Sequence, residues 1–212
     1  MIESLNKNAF FKPDKHHVKA EMIYLSGRYN VSNFIETGTH LGETLIFMAE
    51  KFPFDKLHSV EISDWYINFI NDNFQRVADD SNIDVSNVKI WKGDSVKVLP
   101  AILSEVKGRS LFWLDAHCSG GDTDNSDDYN CTILKELEVI KSSPIKTNII
   151  TIDDMNACKD GHTDYPTISE ISDLILSINE DYLITVKYNV LFAEVPSSIP
   201  ELDDNLNSPV LV

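Results

Sequence analysis

The sequence predicts an α/β fold: a mainly parallel, seven-stranded sheet with helices on both faces, closed by a C-terminal antiparallel hairpin. Three observations predict it. Short apolar runs that end in turn or acidic residues alternate with amphipathic stretches of helical period, as repeated βαβ units require. Acidic residues recur at the C-terminal ends of those runs, where open parallel sheets bind their ligands. The last two runs, 182–188 and 190–195, follow almost at once with Asn189 between them, as the strands of a hairpin do.

Five runs precede the hairpin, at 33–36, 57–62, 88–92, 110–115 and 148–152, each rich in Val, Ile, Leu, Phe or Trp. Helices are expected over 42–51, 64–77, 95–106, 131–141 and 167–178, the second with Trp65, Phe69 and Ile70 on one face. With 212 residues the chain has enough for one sizeable core and is short for two. The expected organisation is a helical extension over 1–30, a single domain over 31–196 and a loosely ordered tail over 197–212. Phe10, Phe11, Met22, Ile23, Tyr24 and Leu25 of the extension are expected to pack on the core.

Lys and Arg number 18 against 34 for Asp and Glu, a formal charge of −16. That field repels phosphate backbones and anionic lipid head groups, so neither nucleic acid nor membrane is an expected partner. Cys118, Cys131 and Cys158 are odd in number and lack C-x-x-C spacing. This argues against a disulfide framework or zinc site and fits a reducing cytoplasm, the expected location. The first fourteen residues lack the apolar stretch of a signal peptide, and no run approaches membrane-spanning length.

The first run ends Phe34-Ile35-Glu36 and continues Thr37-Gly38-Thr39-His40-Leu41-Gly42 into a helix. Glycines there let the backbone turn sharply and approach a ligand. The second run ends Ser59-Val60-Glu61-Ile62, about 20 residues after the glycine loop, where a carboxylate can accept from both hydroxyls of a ribose. The third ends Lys92-Gly93-Asp94-Ser95, whose acid reads either as a base-binding group or as a helix cap. The fourth, Phe112-Trp113-Leu114-Asp115-Ala116-His117, runs from an apolar core into a Gly/Asp/Ser-rich loop over 118–130. The fifth ends Ile152-Asp153-Asp154-Met155 beside it.

The loop from Glu36 to Gly42 resembles motif I of class I S-adenosylmethionine-dependent methyltransferases, although the middle glycine of the fuller pattern is absent. The turn at Asp94-Ser95 resembles that family's adenine-binding turn. From Phe34 to Val195 the chain resembles metal-dependent O-methyltransferases of the macrocin O-methyltransferase type and, more distantly, the catechol-type enzymes. The resemblance implies a Rossmann-like methyltransferase fold with S-adenosylmethionine held by Glu36, Gly38, Thr39, Gly42, Glu61, Ile62, Asp94, Ser95 and Asp115. It also implies a magnesium ion on Asp115, Asp153 and Asp154, since carboxylates on neighbouring strand ends suit a hard cation. His117 is then the expected base, with Asp115 beside it, taking a proton from a substrate hydroxyl as its oxygen attacks the sulfonium methyl.

The expected substrate is a hydroxylated small molecule such as a sugar or glycosylated metabolite, and the chain is a possible homo-oligomer. Asp122, Asp124, Tyr129, Asp160, Asp164 and Tyr165 are candidates to touch it, with exposed loop residues as the ordinary alternative. The remaining histidines, His16, His17, His40, His58 and His162, read as structural or surface residues. Asp153 has a second reading as a turn or cap, Asp154 as a solvated acid and His117 as a structural donor. Two other functions stay open. One is a catalytically silent binding module on the same fold. The other is a nicotinamide-dependent oxidoreductase, disfavoured because its pyrophosphate wants a G-x-G-x-x-G loop.

Overall fold

In a computed structural model the chain is described over residues 15–116, 131–158 and 165–199. Seven strands form one sheet: β1 Asn33–Thr37, β2 Lys56–Glu61, β3 Val88–Lys92, β4 Ser110–Leu114, β5 Ile149–Ile152, β6 Leu183–Lys187 and β7 Val190–Glu194. Their order is β3-β2-β1-β4-β5-β7-β6. The first five are parallel, and β7 runs antiparallel between β5 and β6. The helices are α1 His16–Arg28, α2 Glu43–Lys51, α3 Asp64–Ser81, α4 Ser95–Glu105, α5 Ile133–Ser142 and α6 Ile168–Ile178.

Side chains alternate across a strand, and here the alternation divides the core in two. Phe34, Leu57, Leu111, Trp113 and Ile149 face α1, α2 and α3, where Met22, Ile46 and Phe74 meet them. Ile35, Val60, Phe112, Leu114, Ile150 and Ile152 face α4, α5 and α6, against Leu99, Leu137 and Ile175. Both faces of the sheet are therefore covered, and its central strands are apolar throughout, as buried parallel strands are. Each expected strand and helix is present, with ends displaced by a few residues.

The N-terminal stretch contributes α1, and its Val18, Met22 and Leu25 are at most 3% exposed. Tyr24 stands out in solvent, while Phe10 and Phe11 lie outside the described residues. The hairpin between β6 and β7 turns on two residues, Tyr188 and Asn189, with φ of 57° and 64°. Left-handed backbone at both central positions makes the turn twist with its strands. Asn189 tolerates that conformation, and its groups hold the segment after β5. Its carbonyl accepts from the Met155 N–H, its Oδ1 from the Asn156 N–H, and its Nδ2 donates to Asp154.

Strand order reverses between β1 and β4, one leading outward to β2 and the other to β5. The carboxyl ends of β1 and β4 thus flank the crevice in which doubly wound sheets bind ligands.

Candidate functional site

The turn after β1 is held by backbone bonds from the Gly38 and Thr39 N–H groups to the Val60 carbonyl. Gly38 has φ +88°, and a Cβ there would lie 2.6 Å from the Asp115 carbonyl oxygen. Gly42 has φ +80°, with the Phe74 ring 3.2 Å from such an atom. Both positions need a left-handed backbone that favours glycine. Gly38 in addition lets the turns after β1 and β4 lie against each other.

Glu61 is 6% exposed and joins two turns. Its Oε2 accepts from the His40 N–H at 2.8 Å and its Oε1 from the Ser63 N–H at 2.8 Å. Each oxygen has a further lone pair for a ligand hydroxyl. The His40 ring packs on Tyr66 with centroids 4.5 Å apart, a structural use of that histidine. His58 is likewise structural: it is buried, accepts from the Trp91 indole N–H, and its pKa is lowered to about 4 by burial. Ile62, half-buried, lies between Glu61 and Ser63.

Asp94 occupies the N-cap of α4, its Oδ1 accepting from the Val96 N–H at 2.9 Å, with the Lys97 ammonium 3.4 Å from Oδ2. The capping reading of this residue is therefore realised, and Ser95 opens the helix behind it.

Glu36 is 1% exposed and accepts from the Ser59 hydroxyl, which also bonds Thr39. Burial, joined by the fields of Asp115 and Glu61, pushes its pKa up to about 8 against the opposing Ser59 bond and Lys19 charge. Near neutral pH this carboxyl is held mainly protonated.

A cavity of about 230 Å³ opens at the crevice. Glu36, Gly38, Thr39, Trp113 and Asp115 line it from the sheet edge, and Lys15 and Lys19 line it from the α1 side. Strand alternation explains the set, because Glu36 and Trp113 occupy one cross-strand row on the face that α1 covers. Glu61, Ile62, Asp94 and Ser95 do not line this cavity; they follow it along the same carboxyl edge, at the ends of β2 and β3. The volume falls below the roughly 300–1,000 Å³ of pockets that enclose a whole small ligand, so it suits one end of a longer molecule.

Asp115, Asp153 and Asp154 stand at neighbouring strand ends, but their arrangement does not fit a divalent cation. The ammonium of Lys15 donates to Asp153 Oδ2, and the other Asp153 oxygen accepts from the Asp154 N–H at 2.7 Å. Asp154 has φ 58°, and its Oδ1 accepts from Asn189. Among the described residues no group of three His, Cys, Asp or Glu side chains is placed to hold a metal. Lys15 thus supplies a cation to Asp153.

Lys15 and Lys19 were not among the residues expected at the site. One signal pointed to them: Lys15, Lys19 and Met22 recur at spacings of four and three, on one face of a helix. His117 lies outside the described residues, as do Cys118, Asp122, Asp124, Tyr129, Asp160, His162 and Asp164.

No protein-family model matches the chain, and no curated protein matches it in sequence. Solved structures do. An O-methyltransferase from Bacillus cereus in complex with SAH superposes with a TM-score of 0.59 at 14% identity, covering 89% of this chain and 86% of that one. SAH-bound methyltransferase PaMTH1 of Podospora anserina gives 0.57 at 14% identity, over 84% of this chain and 77% of the other. MycE, a methyltransferase of the mycinamycin biosynthetic pathway solved with Mg, SAH and mycinamycin VI, gives 0.57 at 15% identity. The match covers 97% of this chain and 56% of MycE. At such identities the likeness concerns architecture: the chain has the Rossmann-like methyltransferase fold.

Proposed function

We propose that the protein is an S-adenosylmethionine-dependent methyltransferase that methylates an oxygen of a hydroxylated small molecule, such as a sugar or glycosylated metabolite. One observation carries the reading: a buried carboxyl, Glu36, and Asp115 line a polar cavity at the strand-order reversal, beside a glycine turn. The solved structures of this fold that hold SAH support it.

In this reading Glu61 accepts from the ribose hydroxyls while retaining its two backbone donors, and Ile62 shields that sugar. Asp94 accepts from the adenine amine with its remaining lone pairs, and Ser95 offers its backbone. Gly38, Thr39 and Gly42 set the path of the loop against the amino-acid end. When bound, the cofactor supplies an electrophilic methyl on a positive sulfonium. Asp115 would offer the negative partner for that charge in a partly desolvated site. A base would take the proton from the acceptor hydroxyl as that oxygen received the methyl. His117 remains the proposed base, with Asp115 beside it.

Magnesium belongs to this proposal only on condition that it displaces the Lys15 ammonium from Asp153, and no step is routed through it. A cytoplasmic site of action is proposed on the odd number and spacing of the three cysteines alone; no described helix is long and apolar enough to cross a membrane.

Isothermal titration with S-adenosylhomocysteine tests the binding half of the proposal, with micromolar affinity expected and none at millimolar concentration rejecting it. Transfer of a labelled methyl to a panel of sugars, polyols and phenols tests the chemistry. Binding without transfer to any acceptor would instead identify a silent binding module, and a change in reduced-nicotinamide fluorescence an oxidoreductase.

A further inference from the structure

We propose that Lys19 is the residue that recognises the amino-acid end of the cofactor: its ammonium takes the α-carboxylate while the Glu36 carboxylate takes the α-ammonium. The inference rests on the cofactor reading above and adds to it a residue and a criterion of ligand choice.

Lys19 lies on α1, one turn beyond Lys15, and is only 9% exposed. Its side chain lines the cavity. Among the described residues its ammonium has no hydrogen-bond or ion-pair partner; it sits over the Phe47 ring, 5.5 Å from the centroid. Lys15 is engaged by Asp153, whereas Lys19 is held open. Burial lowers the Lys19 pKa, and the carboxylates of Glu43 and Glu36 oppose that only from a distance. The residue is largely buried but lines the cavity, and a ligand anion there would give its ammonium the acceptor that the described residues do not.

The surroundings decide which anion. Glu36 and Asp115 line the same cavity, Glu43 lies within it too, and the whole chain carries −16. A phosphate or a dicarboxylate would set two negative charges against Asp115 and Glu43, with Lys19 the one cation of the cavity left unpaired among the described residues. A zwitterion matches the set, since its carboxylate meets Lys19 and its ammonium meets Glu36, which gives up its proton on binding. The cavity volume of about 230 Å³ suits that end of the molecule and leaves the nucleoside on the rim toward Glu61.

The test compares S-adenosylhomocysteine with 5′-deoxy-5′-methylthioadenosine, the same thioether nucleoside without the amino-acid end, by titration calorimetry on the full chain. Wild type is expected to bind the former at least about 10-fold more tightly. Lys19→Met is expected to lose about 10- to 100-fold for S-adenosylhomocysteine and nothing for the truncated nucleoside, whose binding also shows that the variant is folded. Lys19→Arg should recover most of the loss. A Lys19→Met variant that binds S-adenosylhomocysteine like wild type, or loses both ligands equally, overturns the role of Lys19 and leaves the cofactor reading standing. Wild type that binds neither nucleoside overturns the cofactor reading itself, and this inference with it.

Discussion

The ammonium of Lys15, at the N-cap of α1, donates to Oδ2 of Asp153 at the end of β5, across 138 positions of sequence. This bond joins the first described helix to the carboxyl edge, and the same ammonium sits over the Trp113 ring, 5.7 Å from its centroid. Asp153 has no exposed surface, so removal of its partner leaves a buried carboxylate uncompensated. The lysine side chain is 41% exposed, and water moderates the effect. Lys15→Met is expected to lower the unfolding free energy by about 1–2 kcal/mol, read from urea titration. Added magnesium should leave the wild-type melting temperature unchanged; an upward shift at millimolar magnesium would show that the ion displaces Lys15.

The two loop glycines should respond unequally to alanine. At Gly38 the new Cβ meets backbone of the adjoining turn, which cannot yield without moving β4, and the φ of +88° adds strain. A loss of about 2–4 kcal/mol is expected. At Gly42 the obstacle is the Phe74 ring, which can shift, so about 1–2 kcal/mol is expected, mostly from the backbone. Equal losses in thermal or urea unfolding would refute the packing account.

Glu61→Gln removes a charge but little volume. One of its two amide bonds must give way, because an amide side chain offers a single accepting oxygen. Stability is expected to fall by about 1.5–3 kcal/mol, with weaker binding of both S-adenosylhomocysteine and the truncated nucleoside. Unaltered nucleoside affinity in the folded variant would remove Glu61 from the sugar site.

Glu36 gives a pH signature. Its folded pKa of about 8 stands above the 4.5 of an unperturbed glutamate. A raised carboxyl pKa contributes stability in full below the unfolded value, and that contribution is lost as pH rises through the folded one. Stability of the unliganded protein should therefore decline between pH 4.5 and 8, and Glu36→Gln should flatten the decline. Because a bound ammonium favours the ionised form, S-adenosylhomocysteine should bind more tightly at pH 8 than at pH 6, releasing a proton. Calorimetry in buffers of different ionisation enthalpy counts that proton, and zero release would contradict the assignment.

The strands and helices were legible because each βαβ unit writes its own period into a short window, and β3 matches its expected span of 88–92 residue for residue. The hairpin was legible for the same reason, although its turn takes Tyr188 as well as Asn189, a β-rich residue in left-handed backbone that propensity alone does not reveal. Acids at strand ends were readable as a set, since parallel topology brings every carboxyl end to one edge. Their partners were not. Asp153 finds Lys15 and Glu36 faces Lys19 only once α1 lies across the sheet, and no local pattern encodes which cation reaches which acid. The magnesium expectation counted the acids, and the sequence did not reveal that Lys15 reaches one of them.

Asn189 gives the antiparallel hairpin a task beyond closing the sheet. Three of its polar groups bond the Met155 and Asn156 N–H groups and the Asp154 side chain, so the β6–β7 pair props up the rim from which Asp153 and Asp154 project. Without that hairpin the acids at the end of β5 would lose their buttress, so the sheet's antiparallel edge shapes its parallel one.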